Sequence, residues 1–163
     1  MDHLSFIQSK ILLDRSELST MLAIWNFKDQ KIVFTNGCFD IIHRGHVEYL
    51  AQAASLGDQL IIGLNTDASV KRLKGASRPV QDENTRALVL ASFSFVSKVV
   101  LFDEDTPYEL INQIHPNILV KGGDYRPEEI VGYDVVTSHG GEVVTIDLVE
   151  GHSTSSIIKK ISQ

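Results

Sequence analysis

Disulfides, membrane-crossing runs and a basic surface are all missing from this sequence. A single cysteine, Cys38, stands among 163 residues, so no internal disulfide can form, which fits a reducing compartment. Fifteen Lys and Arg face twenty-one Asp and Glu, for a net charge of −6. A protein that lived on nucleic-acid phosphates would be basic, so that class is disfavoured, although a local basic pocket is not. No apolar run approaches the roughly 18 residues that cross a bilayer. Met1-Asp2-His3-Leu4 has no basic stretch leading into an apolar one, so no secretory signal is visible. The expectation is a cytoplasmic protein with no membrane insertion and no nucleic-acid partner. Also missing are the G-x-x-x-x-G-K-[ST] loop of P-loop proteins and the G-x-G-x-x-G of dinucleotide binders.

What is present is ordinary globular composition, 43% hydrophobic and 22% charged. The length suits a single domain, 1–163, with an N-terminal helical segment over 1–28 and an α/β core over 29–163. Leu4, Ile7, Ile11, Leu18, Leu22 and Trp25 recur at spacings of three, four or seven. That spacing predicts an amphipathic helix, broken near Asp14–Ser16, packed on the core or on a second subunit of a homodimer. Trp25 and Phe27 read as core or interface.

From Lys31 onward, β-rich runs at Lys31–Thr35, Gln59–Asn65, Lys98–Phe102, Asn117–Lys121 and Glu142–Leu148 alternate with other segments. Helical patterns lie between and after them at His46–Leu56, Asn84–Phe95, Pro107–Ile114 and Ser153–Ile161. Alternation of this kind implies βαβ units and a doubly wound parallel sheet. The near-continuous apolarity of the runs suits strands buried on both faces. Each run ends in Gly, small or polar residues, and in a parallel sheet all those ends share the edge where ligands bind.

The sharpest element on that edge is His43-Arg44-Gly45-His46, opening a helix after the first strong strand. Two histidines one turn apart can face one ligand group. At a helix N-terminus they join free N–H groups and the positive dipole end, an arrangement suited to phosphate. Gly45 lets a ligand approach the backbone, and Gly37 serves the preceding turn similarly. The bland alternative is a capping His43 with His46 on a polar face. Zinc is a weaker rival, because two ligands three apart find no completing Cys or His pair elsewhere, and no metal ligand is assigned. Cys38 reads as a small loop residue ahead of a nucleophile. Asp103-Glu104-Asp105 reads as a solvated acidic turn ahead of a cation site, and Lys159-Lys160 as complementing a helix dipole.

Phe34-Thr35-Asn36-Gly37-Cys38-Phe39-Asp40 with His43-Arg44-Gly45-His46 resembles the G-x-F-D…H-x-G-H motif of the cytidylyltransferase-like nucleotidyltransferases. Asn65 to Gly75, Ser77-Arg78-Pro79-Val80, Val120 to Tyr125 and Gly141 to Val144 narrow the likeness. They are similar to the adenylyltransferase domain of ADP-heptose synthases, and the resemblance runs from about Lys10 to Ile161. It implies a Rossmann-like fold of the nucleotidyltransferase type, to which the N-terminal amphipathic helix would be an addition.

The resemblance also implies roles. His43 and His46 would contact the ATP phosphates and stabilise charge on the α-phosphorus, with Lys71 as a third catalytic group. Thr35, Asn36, Gly37, Cys38 and Phe39 would wrap the nucleotide, with Asp40 at the ribose, the turn or a Mg²⁺-linked contact. Gly45 and Lys121, Gly122, Gly123 and Asp124 would line the nucleotide pocket, and Ser153 and Thr154 would hold the β- and γ-phosphates. Asn65, Asp67, Lys71, Lys74 and Arg86 would meet the sugar phosphate. ATP would be substrate, with Mg²⁺ carried mainly by the nucleotide phosphates. A phosphate monoester is already ionised near neutral pH, so the reaction needs alignment and charge neutralisation but no general base.

Three departures from the family pattern stand out. Leu148 occupies the position of an Arg common in CTP-using relatives, which counts mildly against CTP and leaves a phosphate contact to His152 or Lys159. Asn84-Thr85-Arg86 stands where the superfamily has Glu-Gln-Arg. The larger enzymes carry an upstream sugar kinase domain that 163 residues cannot contain, so a stand-alone transferase is expected. The expected reaction is ATP plus D-glycero-β-D-manno-heptose 1-phosphate giving ADP-heptose and pyrophosphate, feeding lipopolysaccharide or another surface glycan. Its rivals are CTP with glycerol 3-phosphate and a non-catalytic nucleotide-sensing module.

Overall fold

The structure, a computed structural model, describes residues 2–123, 125–147 and 154–161. Six strands form one all-parallel sheet: β1 (Ile11–Leu12), β2 (Ile32–Gly37), β3 (Gln59–Asn65), β4 (Lys98–Phe102), β5 (Ile118–Gly122) and β6 (Glu142–Ile146). Their spatial order is β1-β4-β3-β2-β5-β6. The chain winds outward from β2 through β3 and β4, then returns to lay β5 on the other flank of β2. The gap between β2 and β5 is therefore the point where the winding reverses, which is where such sheets bind ligands.

Helices cover both faces: α1 (His3–Gln8), α2 (Ser16–Phe27), α3 (Arg44–Ala54), α4 (Asp67–Lys74), α5 (Glu83–Ala91), α6 (Tyr108–Ile114), α7 (Tyr133–Ser138) and α8 (Thr154–Ile161). Alternate strand residues feed two cores. Val33, Leu60, Ile62 and Leu64 pack with Leu50 and Ala53 of α3 and Leu90 of α5 on one face. Phe34, Ile61 and Val100 pack with Leu18 and Leu22 of α2 and Leu110 of α6 on the other. This explains the unbroken apolar runs, since both sides of each central strand are buried.

The expected N-terminal amphipathic helix is corrected in one respect. It is two helices separated by a two-residue strand, with Ile11 and Leu12 paired to Val99 and Val100. The helical spacing held because Leu18 and Leu22 face the core. Ile11 and Leu12 instead obey the sheet, whose open edge supplies hydrogen bonds that a helix there would forgo. Phe27, expected in a core or interface, is 89% exposed. Asp124, Leu148, His152 and Ser153 lie outside the described residues.

Candidate active site

The site begins where β2 ends. Thr35 is fully buried and shares a 2.6 Å hydrogen bond with the Tyr49 hydroxyl, which reaches the Val120 carbonyl at 3.2 Å. Burial pushes the Tyr49 phenol up to about 12. Thr35 thus ties β2 to α3 and β5 and turns no hydroxyl outward. The next residue, Asn36, accepts a 2.7 Å hydrogen bond from Lys121 Nζ across the β2–β5 gap. Burial pushes the Lys121 ammonium down from its ordinary value, with nearby Cys38 opposing.

Gly37 leaves room for Phe39, since a Cβ there would stand 3.0 Å from the Phe39 ring. Phe39 adopts a left-handed φ of 43°. Its buried ring meets His46 edge-on at 5.2 Å, wedging the histidine in place. His43 is the extended N-cap residue of α3, and its backbone carbonyl accepts from His46 N at 2.9 Å. The two imidazoles stack with centroids 3.8 Å apart. Burial first, then the charges of His43 and Lys74, push His46 down to about 4, against the pull of the Ile41 backbone. His46 Nδ1 is buried without a well-formed hydrogen bond. At neutral pH His46 is an uncharged imidazole at a helix N-terminus, able to donate a hydrogen bond to an anion.

Asp40 is 2% exposed, and its carboxylate is occupied by protein. Arg78 Nε donates at 2.6 Å and the Val80 and Gln81 amides donate at 2.8 and 3.0 Å. Burial pushes this carboxyl up, but those three hydrogen bonds and the Arg78 charge together hold it below the usual range. Arg86 is likewise fully buried. It donates to the Cys38 carbonyl at 2.6 Å, the Gln81 carbonyl at 3.0 Å and Asp67 Oδ1 at 2.7 Å. Asn65 donates to Ser69 at 3.0 Å, with the Cys38 thiol 3.9 Å from its carbonyl oxygen. Asp40, Asp67 and Arg86 therefore clamp the loop after α4 and the start of α4 to the loop that carries Cys38.

The exposed Lys71 and Lys74 lie in the last turn of α4, and Lys74 is near enough to His46 to depress it electrostatically. Gly45 is buried in the first turn of α3. Gly122 ends β5, and Gly123 follows at φ 109°, its amide bonded to the Ile146 carbonyl. Thr154 opens α8 and donates to the Ile41 carbonyl at 3.5 Å, bringing that helix against the loop before His43. Sequence reading overlooked Tyr49, Arg78 and Glu83, which accepts from the Asp67 amide at 2.7 Å. Arg78 stood within a quoted segment, but no spacing rule links it to Asp40.

Among the described residues no three His, Cys, Asp or Glu side chains converge as a cation site. The imidazoles of His43 and His46 and the Lys121 and Lys74 ammonium groups gathered around this edge complement phosphate.

The sequence matches the Cytidylyltransferase-like family over residues 34–160. It is 54% identical over 149 residues to the "Bifunctional protein HldE" of Azorhizobium caulinodans, covering 91% of this chain and 31% of that protein. To the protein of the same description from Syntrophotalea carbinolica it is 56% identical over 153 residues, covering 94% and 31%. The chain thus spans about a third of the length of these curated relatives. In structure it resembles the lipopolysaccharide core biosynthesis protein from Thermoplasma volcanium, with TM-score 0.61 and 26% identity over 76% of this chain and 99% of the other. The pantoate-beta-alanine ligase of Francisella tularensis shares the fold, with TM-score 0.60 and 15% identity over 93% of this chain and 76% of the other. The matched span takes in the β2 end, the stacked histidines and the Asn36–Lys121 bridge, and the chain belongs to the cytidylyltransferase-like nucleotidyltransferases.

Proposed function

We propose that this chain transfers AMP from ATP to D-glycero-β-D-manno-heptose 1-phosphate, giving ADP-heptose and pyrophosphate. The observation that carries the phosphoryl chemistry is the stacked His43–His46 pair at the α3 N-terminus, with Lys74 close by. Relatives described as HldE support the heptose assignment. An oxygen of the sugar phosphate attacks the α-phosphorus, a new P–O bond forms, and the α–β bond breaks to release pyrophosphate. The attacking oxygen is already ionised, so the residues align and neutralise rather than remove a proton. His43 and His46 donate to the α-phosphoryl oxygens as charge builds there. Lys71 and Lys74 offset the phosphates of donor and acceptor, and Ser153 and Thr154 bind the β- and γ-phosphates.

Asn36, Gly37, Cys38, Phe39, Gly45 and the Lys121–Asp124 segment cradle the nucleotide. Thr35, Asn65, Asp67, Arg86 and Asp40 hold that cradle from behind. Mg²⁺ bound to the nucleotide phosphates would offset part of their charge. The product would serve a surface glycan such as lipopolysaccharide, made in the cytoplasm.

The test is pyrophosphate release with ATP or CTP against heptose 1-phosphate and glycerol 3-phosphate. Release with ATP and the heptose 1-phosphate alone is expected, falling more than about tenfold in His43→Ala and His46→Ala with the fold intact. Release only with CTP and glycerol 3-phosphate would overturn the substrates. Nucleotide binding with no turnover on any pair would overturn the transferase in favour of a sensing module.

A further inference from the structure

We propose that His115 and His139 form a two-histidine site for a borderline divalent metal ion, zinc above all, at the sheet edge opposite His43 and His46. His115 follows α6 in the left-handed conformation, at φ 49° and ψ 58°, and leads into β5. His139 follows α7 and leads into β6. Both strands are parallel, so both histidines lie at the amino-terminal edge, away from the strand ends that build the candidate active site.

Both rings are exposed, yet they converge. His115 Nδ1 and His139 Nε2 are in direct hydrogen-bond contact, with the rings edge-on and their centroids 4.3 Å apart. Ser138 fixes which nitrogen of His139 carries a proton. The Ser138 hydroxyl donates to the Val135 carbonyl at 2.7 Å, which leaves its oxygen to accept from His139 Nδ1–H at 2.8 Å. His139 Nε2 therefore presents a lone pair to His115. This is the tautomer a metal ligand needs, held by the kind of outer-shell partner that metal-bound histidines use.

Neutral His115 donates Nδ1–H into that lone pair in the free protein. Moving its proton to Nε2, which faces water, frees a second lone pair at the same point. Zinc binds imidazole nitrogen at about 2.0–2.1 Å, which places two ligand nitrogens on one tetrahedral ion about 3.3 Å apart. Exposed rings reach that spacing by a small rotation, and water completes the shell. The backbones need not move: Ile114, Pro116 and Val136 are buried beside them, and the Asn117 carbonyl accepts from the Glu142 amide at 2.9 Å. An ion here clips the entry of β5 to the entry of β6. Imidazole nitrogen favours zinc, nickel or copper over magnesium or calcium.

The test is calorimetric titration of Zn²⁺ alone into the full chain in phosphate-free buffer, with histidine ring-proton NMR alongside. His115→Ala and His139→Ala are each expected to weaken one binding event at least about tenfold, and Ser138→Ala about tenfold through the lost tautomer lock. In the unaltered protein the His115 and His139 ring protons should shift together. Circular dichroism checks that each variant folds, and zinc should raise the Tm of the unaltered protein but not of His139→Ala. Unchanged zinc binding in the His115→Ala/His139→Ala double variant would overturn the site. So would binding that vanishes in His43→Ala instead, because the ion would then belong to the other histidine pair.

Discussion

The imidazoles of His43 and His46 stack 3.8 Å apart with their planes 19° from parallel, so neither ring accepts a proton without facing the other. His46 is held at about 4 in the fold, mainly by burial, against about 6.5 in an unfolded chain. Between those values the unfolded chain binds the extra proton, so stability rises with pH through the window and falls as pH drops through it. Discounted for solvent screening of a partly exposed ring, the effect is about 1–2 kcal/mol. Urea unfolding at pH 7 and pH 4.5 should show His46→Gln losing less stability than the unaltered protein by that amount. Equal losses would mean that His46 does not govern acid sensitivity.

Lys121 bridges β2 to β5 through Asn36 and sits half-buried beside the reversal of the sheet winding. Lys121→Met keeps the stem and removes the charge. The expected result is a rise of at least about tenfold in the KM for nucleotide, with a smaller change in kcat. Steady-state titration of nucleotide at saturating acceptor would show it. An unaltered KM would leave the ammonium with a purely structural task.

Arg86 has no exposed surface, and its three acceptors lie on three separate segments. Arg86→Met leaves two carbonyls and the Asp67 carboxylate without their donor, a loss of about 2–4 kcal/mol. Denaturant unfolding should report it. A cycle with Asp67→Asn should show coupling between the two sites rather than simple addition. If Arg86→Met folded with unaltered stability and lost only acceptor binding, its role would be direct substrate contact.

Gly132 holds φ 92°, and a Cβ there would stand 2.7 Å from Ile111 Cδ1. Gly140 has a similar φ of 79° with nothing within 4 Å of such a Cβ. Alanine at 140 should cost about 1 kcal/mol from the backbone alone, whereas alanine at 132 adds overpacking and should cost about 2–4 kcal/mol. The two urea midpoints, measured side by side, separate strain from crowding.

Strands came through the sequence best. β3 and β4 have the bounds their apolar runs suggested, because burial on both faces leaves polar residues only at the ends. α4 was overlooked: among its eight residues only Ser69 and Val70 are buried, so no apolar stripe marks it. Its signal was local, a Thr66 side chain capping the Ser69 amide at 3.2 Å. α7 is six residues long and left too short a period to read. At the site, His43 and His46 declared themselves by spacing within one turn. Asp40, Asp67 and Arg86 were expected to meet ligand, Asp40 with the turn as an alternative, and in the fold each makes hydrogen bonds to protein. Asp40 meets Arg78 and Arg86 meets Asp67 across 38 and 19 residues, and four of their six hydrogen-bond partners are backbone groups that carry no sequence signature.

The two-residue strand at Ile11–Leu12 has a consequence for solubility. It pairs with the outer side of β4, whose Lys98-Val99-Val100-Leu101-Phe102 is a β-branched and aromatic run with charge only at its first residue. Left bare, that rim would be a template for strand addition between molecules. The opposite rim, β6, already carries exposed Glu142 and Thr145. Ile11 and Leu12 act as a gatekeeper: so brief a strand shields β4 from its neighbours while offering almost no ladder of its own for a further chain to join.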